Sequence, residues 1–361
     1  MPRLFIDISS HGFGHLAQVG PVVEVLTASL PDLQLTIRSG LPEAQLRLRI
    51  SHDFDYIGGA SDDAFLMHDA VRVDREASAA AYRSAHADWS ASVETEAGFL
   101  RELAPDVVLS NVSCLPLAGA KRAGIPAVAM CSLNWADQFA YLFAGEPWAE
   151  KIHAELLAAY AAADVFLRCL PAMPMPDLAN TREIPPIARR GVSCRSAIDE
   201  VLGTQGRRLV MVVMGGIGFE LPLASWPHVP GVHWLVRDEL LGARGDVSAY
   251  RPLGFHFSDL LASADAVVTK PGYGMFVESA AAGAPVLYLK REDWPEQEVL
   301  IDWLRREAVA AEISAADFAA GNVAAALEAL WAQPRRQVDA GGAAVAAAVL
   351  EELLRRGGRS A

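Results

Sequence analysis

Short apolar runs alternate along the chain with longer stretches whose apolar positions recur at helical spacing. This is the pattern of a parallel sheet covered by helices on both faces. In the first half the runs predict strands at Leu4–Ile8, Leu33–Arg38, Asp106–Ser110, Ala127–Cys131 and Asp164–Cys169. The second half repeats the scheme at Leu209–Met214, Val232–Val236, Ala266–Thr269, Pro285–Leu289 and Ala308–Ile313. The alanine-rich stretch from Val73 to Leu103, with Trp89 and Phe99, reads as one long packing helix, and Gly342 to Arg356 as a closing helix. Between the halves Pro171, Pro174, Pro176, Pro185 and Pro186 crowd a segment that suits neither helix nor sheet. A linker near Ile184 to Arg190 follows. The predicted class is α/β, with two doubly wound Rossmann-like domains, 1–188 and 189–361, facing across a cleft. The last helix is free to pack back on the first of them.

Two glycine turns stand at corresponding places in this scheme. Ser9-Ser10-His11-Gly12-Phe13-Gly14-His15 follows the first strand, and Lys270-Pro271-Gly272-Tyr273-Gly274 follows Ala266–Thr269. Each reads as a buried strand that ends in a turn and opens a helix. Such a junction presents free N–H groups at the positive end of a helix dipole, suited to phosphate or another anion. A third turn, Gly215-Gly216-Ile217-Gly218, follows Leu209–Met214; it closes over a diphosphate, with Gly216 in contact, or is a plain strand-to-helix turn.

Composition narrows the partners. At 361 residues with 52% hydrophobic content, two domains with substantial cores are expected. A net charge of −13 argues against a nucleic-acid partner and against an anionic membrane surface. Cys114, Cys131, Cys169 and Cys194 have no short paired spacing, so neither a zinc site nor a disulfide framework is expected. No apolar run reaches membrane-spanning length and the first residues do not form a signal peptide, so a cytoplasmic protein is expected.

Gly12-x-Gly14-x-x-Ala17 formally fits the dinucleotide fingerprint. The second strand ends in Arg38 rather than an acidic residue, which leaves an NADP reading with Arg38 on the 2′-phosphate. His15 speaks against a pyrophosphate there. At a helix N-terminus its imidazole stays neutral and can accept a proton from a substrate hydroxyl; the alternative is a histidine that only orders the loop. For His11 a loop-ordering or substrate-contact role is expected. At the second turn Glu278, four residues past Gly274, can accept hydrogen bonds from both hydroxyls of a ribose whose phosphates rest on the turn, or can simply complement the dipole. Glu292, Asp293, Glu296 and Gln297 follow the next strand, at the place where a sugar would lie.

These blocks, Ser9–His15 and Asp259–Gln297, resemble the GT-B glycosyltransferases, in particular the branch of the bacterial lipid-II N-acetylglucosaminyltransferase. The G-F-G-H loop and the K-x-G-Y-G turn also resemble the carbohydrate segment ahead of the kinase domain of plant arabinokinases. The resemblance implies a catalytic or acceptor-contact His15, a diphosphate turn at Gly272, Tyr273 and Gly274, and a ribose-binding Glu278. It implies donor-sugar contacts from Glu296 and Gln297, a nucleobase loop at Phe255 and Phe257, and an acceptor-side segment at Asn134 and Trp135. Lys270-Pro271 departs from the serine or arginine often found ahead of this turn. The implied activity is sugar transfer from a nucleoside diphosphate sugar, most often a UDP-sugar, to an acceptor hydroxyl. It would be metal-independent and inverting and need no cofactor. A nucleotide-sugar 2-epimerase, a non-catalytic nucleotide-sugar-binding protein and an NADP-dependent oxidoreductase are the rival readings.

Overall fold

The computed structural model describes residues 1–62, 64–69, 71–215, 223–237 and 244–357. Gly216, proposed above as a diphosphate contact, lies outside the described residues. Two all-parallel sheets organise the chain. The first holds β1 (Arg3–Ile8), β2 (Gln34–Ser39), β3 (Asp55–Gly58), β4 (Val107–Asn111), β5 (Ala127–Cys131), β6 (Val165–Cys169) and β7 (Thr181–Ile184), in the order β3-β2-β1-β4-β5-β6-β7. The second holds β8 (Arg208–Val213), β9 (Val232–Val236), β10 (Val247–Ala249), β11 (Ala266–Thr269), β12 (Val286–Leu289) and β13 (Ala310–Ile313), in the order β10-β9-β8-β11-β12-β13. Central strands such as β4, β5 and β9 are buried along their whole length, because helices cover both faces of the sheet.

The ten predicted strands are all present. The structure adds β3, β7 and β10, each at the edge of its sheet, where one side of the strand is exposed and the apolar signal is thin. β7 sits inside the proline-rich segment, between Leu178 and Pro185. The long helix predicted from Val73 to Leu103 is two helices, Arg75–Ala85 and Trp89–Leu103. Asp88 breaks it by turning its carboxylate onto the N–H of Ala91, 3.1 Å away, as an N-cap, and His86 stacks on Trp89.

Both strand orders reverse direction between their first and fourth members, β1/β4 and β8/β11. The crevice outside the carboxyl ends at such a switch point is where open α/β sheets take ligands. Register aligns Ile8 with Asn111 and Thr269 with Val213, so the polar residues that follow these strands emerge side by side. The closing helix Gly342–Gly357 packs against Phe13–Ser29 and β4 of the first sheet, with Ala346, Leu350 and Leu354 in one core with Val23 and Leu26. Among the described residues no helix is long and apolar enough to cross a membrane.

Candidate active site

The two glycine turns meet. Helix Phe13–Ser29 starts after Gly12, whose φ of 134° only glycine adopts readily, and helix Tyr273–Ala282 starts after Gly272. A Cβ on Gly274 would stand 3.1 Å from Ala17 Cβ and 3.5 Å from Gly14 Cα, so the small residues of the two turns let the helices touch. The spacing that resembles a dinucleotide fingerprint is thus used for contact between the halves. Both helix N-termini open into a cleft of about 680 Å³, lined by His11, Gly12, His15, Gly272, Tyr273, Gly274 and Glu278 among others. Two positive dipole ends aimed into one cavity favour an anion there.

His15 is buried and forms the start of a hydrogen-bonded chain that crosses the cleft. Its Nδ1 is 2.7 Å from Asn111 Oδ1; Asn111 Nδ2 donates to Gln18 Oε1 (2.9 Å) and Gln18 Nε2 to Ser132 Oγ (3.1 Å). Ser132 Oγ donates to Glu296 Oε1 (2.6 Å), and Trp294 Nε1 donates to Glu296 Oε2 (3.0 Å). The donor direction along this chain leaves Asn111 Oδ1 as an acceptor, which puts the His15 proton on Nδ1 and the lone pair on Nε2. Burial lowers the His15 pKa to about 4, against a smaller upward pull from Asn111. The imidazole is neutral at physiological pH, as a general base requires. Asn111, Gln18 and Ser132 are absent from the sequence-based expectations. The sign that pointed to them is their place: Asn111 ends β4 beside β1, and Ser132 directly follows β5.

In the second half, Glu278 is almost fully buried and holds an ion pair from the opposite half. Arg49 Nη1 contacts its Oε1, and Nη2 lies 3.3 Å from Oε2. The Arg49 guanidinium also sits 5.1 Å from the centre of the Phe257 ring. Gly20 allows this, because the Arg49 carbonyl lies 3.1 Å from where a Cβ there would be. Phe255, Phe257 and Glu296 line the same cleft. Gln297 is not on the cleft wall. Its amide accepts from the Arg291 N–H (2.9 Å) and donates to the Arg291 carbonyl (2.9 Å), which fixes the loop ahead of its helix. Tyr273 lines the cleft, and its hydroxyl accepts from Ile187 N–H and donates to Leu170 O at the crossing between the halves.

In the first half, His11 lines the cleft and stacks on Trp294, with ring centres 4.9 Å apart. Burial, then the nearby Arg291, His15 and Lys270, push its pKa well below the usual histidine value. Trp135 stands behind it, edge-on to His11, with its Nε1 donating to Asp62 Oδ2 at 2.7 Å. Asn134 caps the helix Trp135–Phe143 by accepting from Asp137 N–H. Neither of these two residues lines the cleft. Arg38, the residue on which an NADP reading depends, is fully engaged: Nε contacts Asp7 at 2.6 Å, and Nη1 and Nη2 contact Glu96 at 3.0 and 2.6 Å. It also lies 5.2 Å from the Phe5 and the Phe99 ring centres, leaving no face for a 2′-phosphate.

No protein-family model matches the chain. It is similar to an L-arabinokinase of Arabidopsis thaliana, 26% identical over 363 aligned residues, covering 96% of this chain and 34% of that protein. The chain therefore spans about a third of the length of that relative. Among solved structures it is similar to the calicheamicin glycosyltransferase CalG4, at TM-score 0.65 and 17% identity over 98% of this chain and 99% of that one. It is also similar to a UDP-glucosyltransferase of Polygonum tinctorium that glucosylates indoxyl, at TM-score 0.61 and 14% identity over 99% and 94% of the two chains. The fold of this chain is the GT-B fold, two Rossmann-like domains facing across a cleft; nothing singles out the lipid-II branch.

Proposed function

We propose that this GT-B chain is a glycosyltransferase that moves a sugar from a nucleoside diphosphate sugar to an acceptor hydroxyl. The observation that carries the reading is the apposition of a neutral, buried His15 with the N-terminal end of helix Tyr273–Ala282 in one cleft. Residues 1–188 form the acceptor half and 189–361 the donor half, with the closing helix returned to the first.

In this reading the donor diphosphate rests on the amides at Gly272, Tyr273 and Gly274, and its ribose takes over Glu278 from Arg49. The base lies by Phe255 and Phe257, and uridine is the base we propose. Glu296, already oriented by Ser132 and Trp294, meets the sugar hydroxyls, and Gln297 keeps that loop in place. The acceptor hydroxyl enters past His11 and gives its proton to His15 Nε2 as its oxygen attacks the anomeric carbon. The bond to the diphosphate oxygen breaks, and the helix end stabilises the charge that develops there. His15 and the diphosphate turn come from opposite halves, which supports attack from the face opposite the leaving group and inversion. The helix dipole and the cleft cations supply positive charge at the leaving group, which supports a metal-independent reaction with no cofactor. Closure of the two halves around the donor would exclude water that otherwise hydrolyses it.

Incubating the protein with uridine, thymidine, guanosine and adenosine diphosphate sugars and a panel of hydroxyl acceptors tests this. Release of free nucleoside diphosphate together with a glycosylated acceptor is expected, and is lost in His15→Ala. An epimerised nucleotide sugar without diphosphate release would replace the transferase reading by an epimerase one. Full turnover by His15→Ala would remove His15 as base.

A further inference from the structure

The hydrogen-bond series that begins at His15 ends on a carboxylate in the other half, and that end dictates every link before it. A carboxylate only accepts hydrogen bonds, a hydroxyl has one proton to give, and an amide accepts at one atom and donates at the other. Glu296 therefore takes the Ser132 proton, and Ser132 must accept from the Gln18 amide nitrogen. Gln18 is left with its oxygen toward the Asn111 nitrogen, and Asn111 with its oxygen toward His15 Nδ1. Gln18, Asn111 and Ser132 are each at most 1% exposed, so they find their partners inside the series. Cys131 Sγ, 3.8 Å from His15 Nδ1, is a weak neighbour beside the amide oxygen at 2.7 Å.

His15 and Gln18 stand three residues apart on one face of helix Phe13–Ser29, so both reach the same Asn111 side chain and clamp it from either end. The series crosses between the halves at a single link, Ser132 to Glu296, 164 residues apart in sequence.

We propose that Glu296 is a positioning residue for His15: acting through Ser132, Gln18 and Asn111, its carboxylate holds the ring proton on Nδ1 and the lone pair on Nε2. This rests on the reading of His15 as the base. Glu296→Gln removes the charge and keeps the shape. Trp294 Nε1 still needs an oxygen, so the new amide turns its nitrogen to Ser132. The Ser132 hydroxyl then donates to Gln18, both amides turn over, and the Asn111 nitrogen donates to His15 Nδ1, which moves the ring proton to Nε2. Adding Gln18→Glu restores an anion that accepts from both Asn111 and Ser132, so the double variant returns the proton to Nδ1.

Nitrogen NMR of the His15 ring at neutral pH, where the imidazole is uncharged, reads the tautomer in the protein alone. The wild type and Glu296→Gln/Gln18→Glu should show a protonated Nδ1, and Glu296→Gln a protonated Nε2. An unchanged Nδ1 proton in folded Glu296→Gln, or a protonated Nε2 in the wild type or the double variant, would overturn the wiring. Should Glu296→Gln not fold, Ser132→Ala cuts the same link and should give a mixture of tautomers; the Nδ1 form alone would again overturn it. The readout uses neither donor nor acceptor, so a wild type that transfers no sugar would overturn the proposed function as a separate result.

Discussion

Replacing Asn111 by aspartate places a carboxylate where a neutral amide now meets His15 Nδ1 at 2.7 Å. The charge on a protonated imidazole would then lie about 4 Å from the carboxylate, an attraction of about 4 kcal/mol at an effective dielectric near 20. Each pKa unit corresponds to about 1.4 kcal/mol, so this alone would raise the histidine by about three units. Desolvation of the new carboxylate removes part of that, and a rise of about two units is expected, from about 4 to about 6. Histidine titration by NMR reads the change directly and needs no acceptor. The account predicts that His15 in the wild type stays neutral down to about pH 4 and that Asn111→Asp begins to protonate near pH 6. The acid limb of kcat/KM for donor turnover should move by the same amount in the same direction. A wild-type His15 that titrates near 6.5, or an Asn111→Asp variant with no change, would refute the reasoning.

The Arg49–Glu278 pair crosses the halves, so Arg49→Ala leaves a buried, uncompensated carboxylate and should cost about 3 kcal/mol by urea unfolding. Glu278→Gln in the same chain should recover most of it, and additive losses would mean the pair is not coupled. Gly274→Ala drives a methyl to 3.1 Å from Ala17 Cβ, so the helix ends must separate; a loss of about 1–3 kcal/mol in stability and a weaker diphosphate affinity are expected. His15 has a folded pKa below its unfolded value, so the unfolded chain binds the extra proton first. Its contribution is present above pH 6.5 and is lost as pH falls towards about 4, about 3 kcal/mol in all. His15→Gln should flatten the stability profile across that window, as read by thermal unfolding.

The central strands were legible because a parallel sheet covered on both faces needs unbroken apolar runs. β3, β7 and β10 were not, because an edge strand such as Thr181-Arg182-Glu183-Ile184 buries only part of its length. The glycine turns announced the cleft, since few side chains can stand where Gly12 bends and Gly274 meets Ala17. The chain that starts at His15 stayed hidden: Asn111 is 96 residues away in sequence and Ser132 follows another strand, and only the order β1-β4-β5 brings them together. Arg49 carries no motif, and its pairing with Glu278 spans 229 residues. Its role arises from packing across the cleft, which periodicity does not encode. Local bonds instead hold Gln297 on the Arg291 backbone and make Asn134 a helix cap, away from the ligand positions that the resemblance implied for them.

The central claim, that the second glycine turn with Glu278 is a nucleoside diphosphate site, is tested most directly by calorimetric titration with UDP, uridine and NADP. The account predicts that UDP binds one site per chain, that uridine binds more weakly for want of the diphosphate, and that Glu278→Gln weakens UDP. Binding of NADP alone, or UDP affinity unchanged in Glu278→Gln, would contradict it.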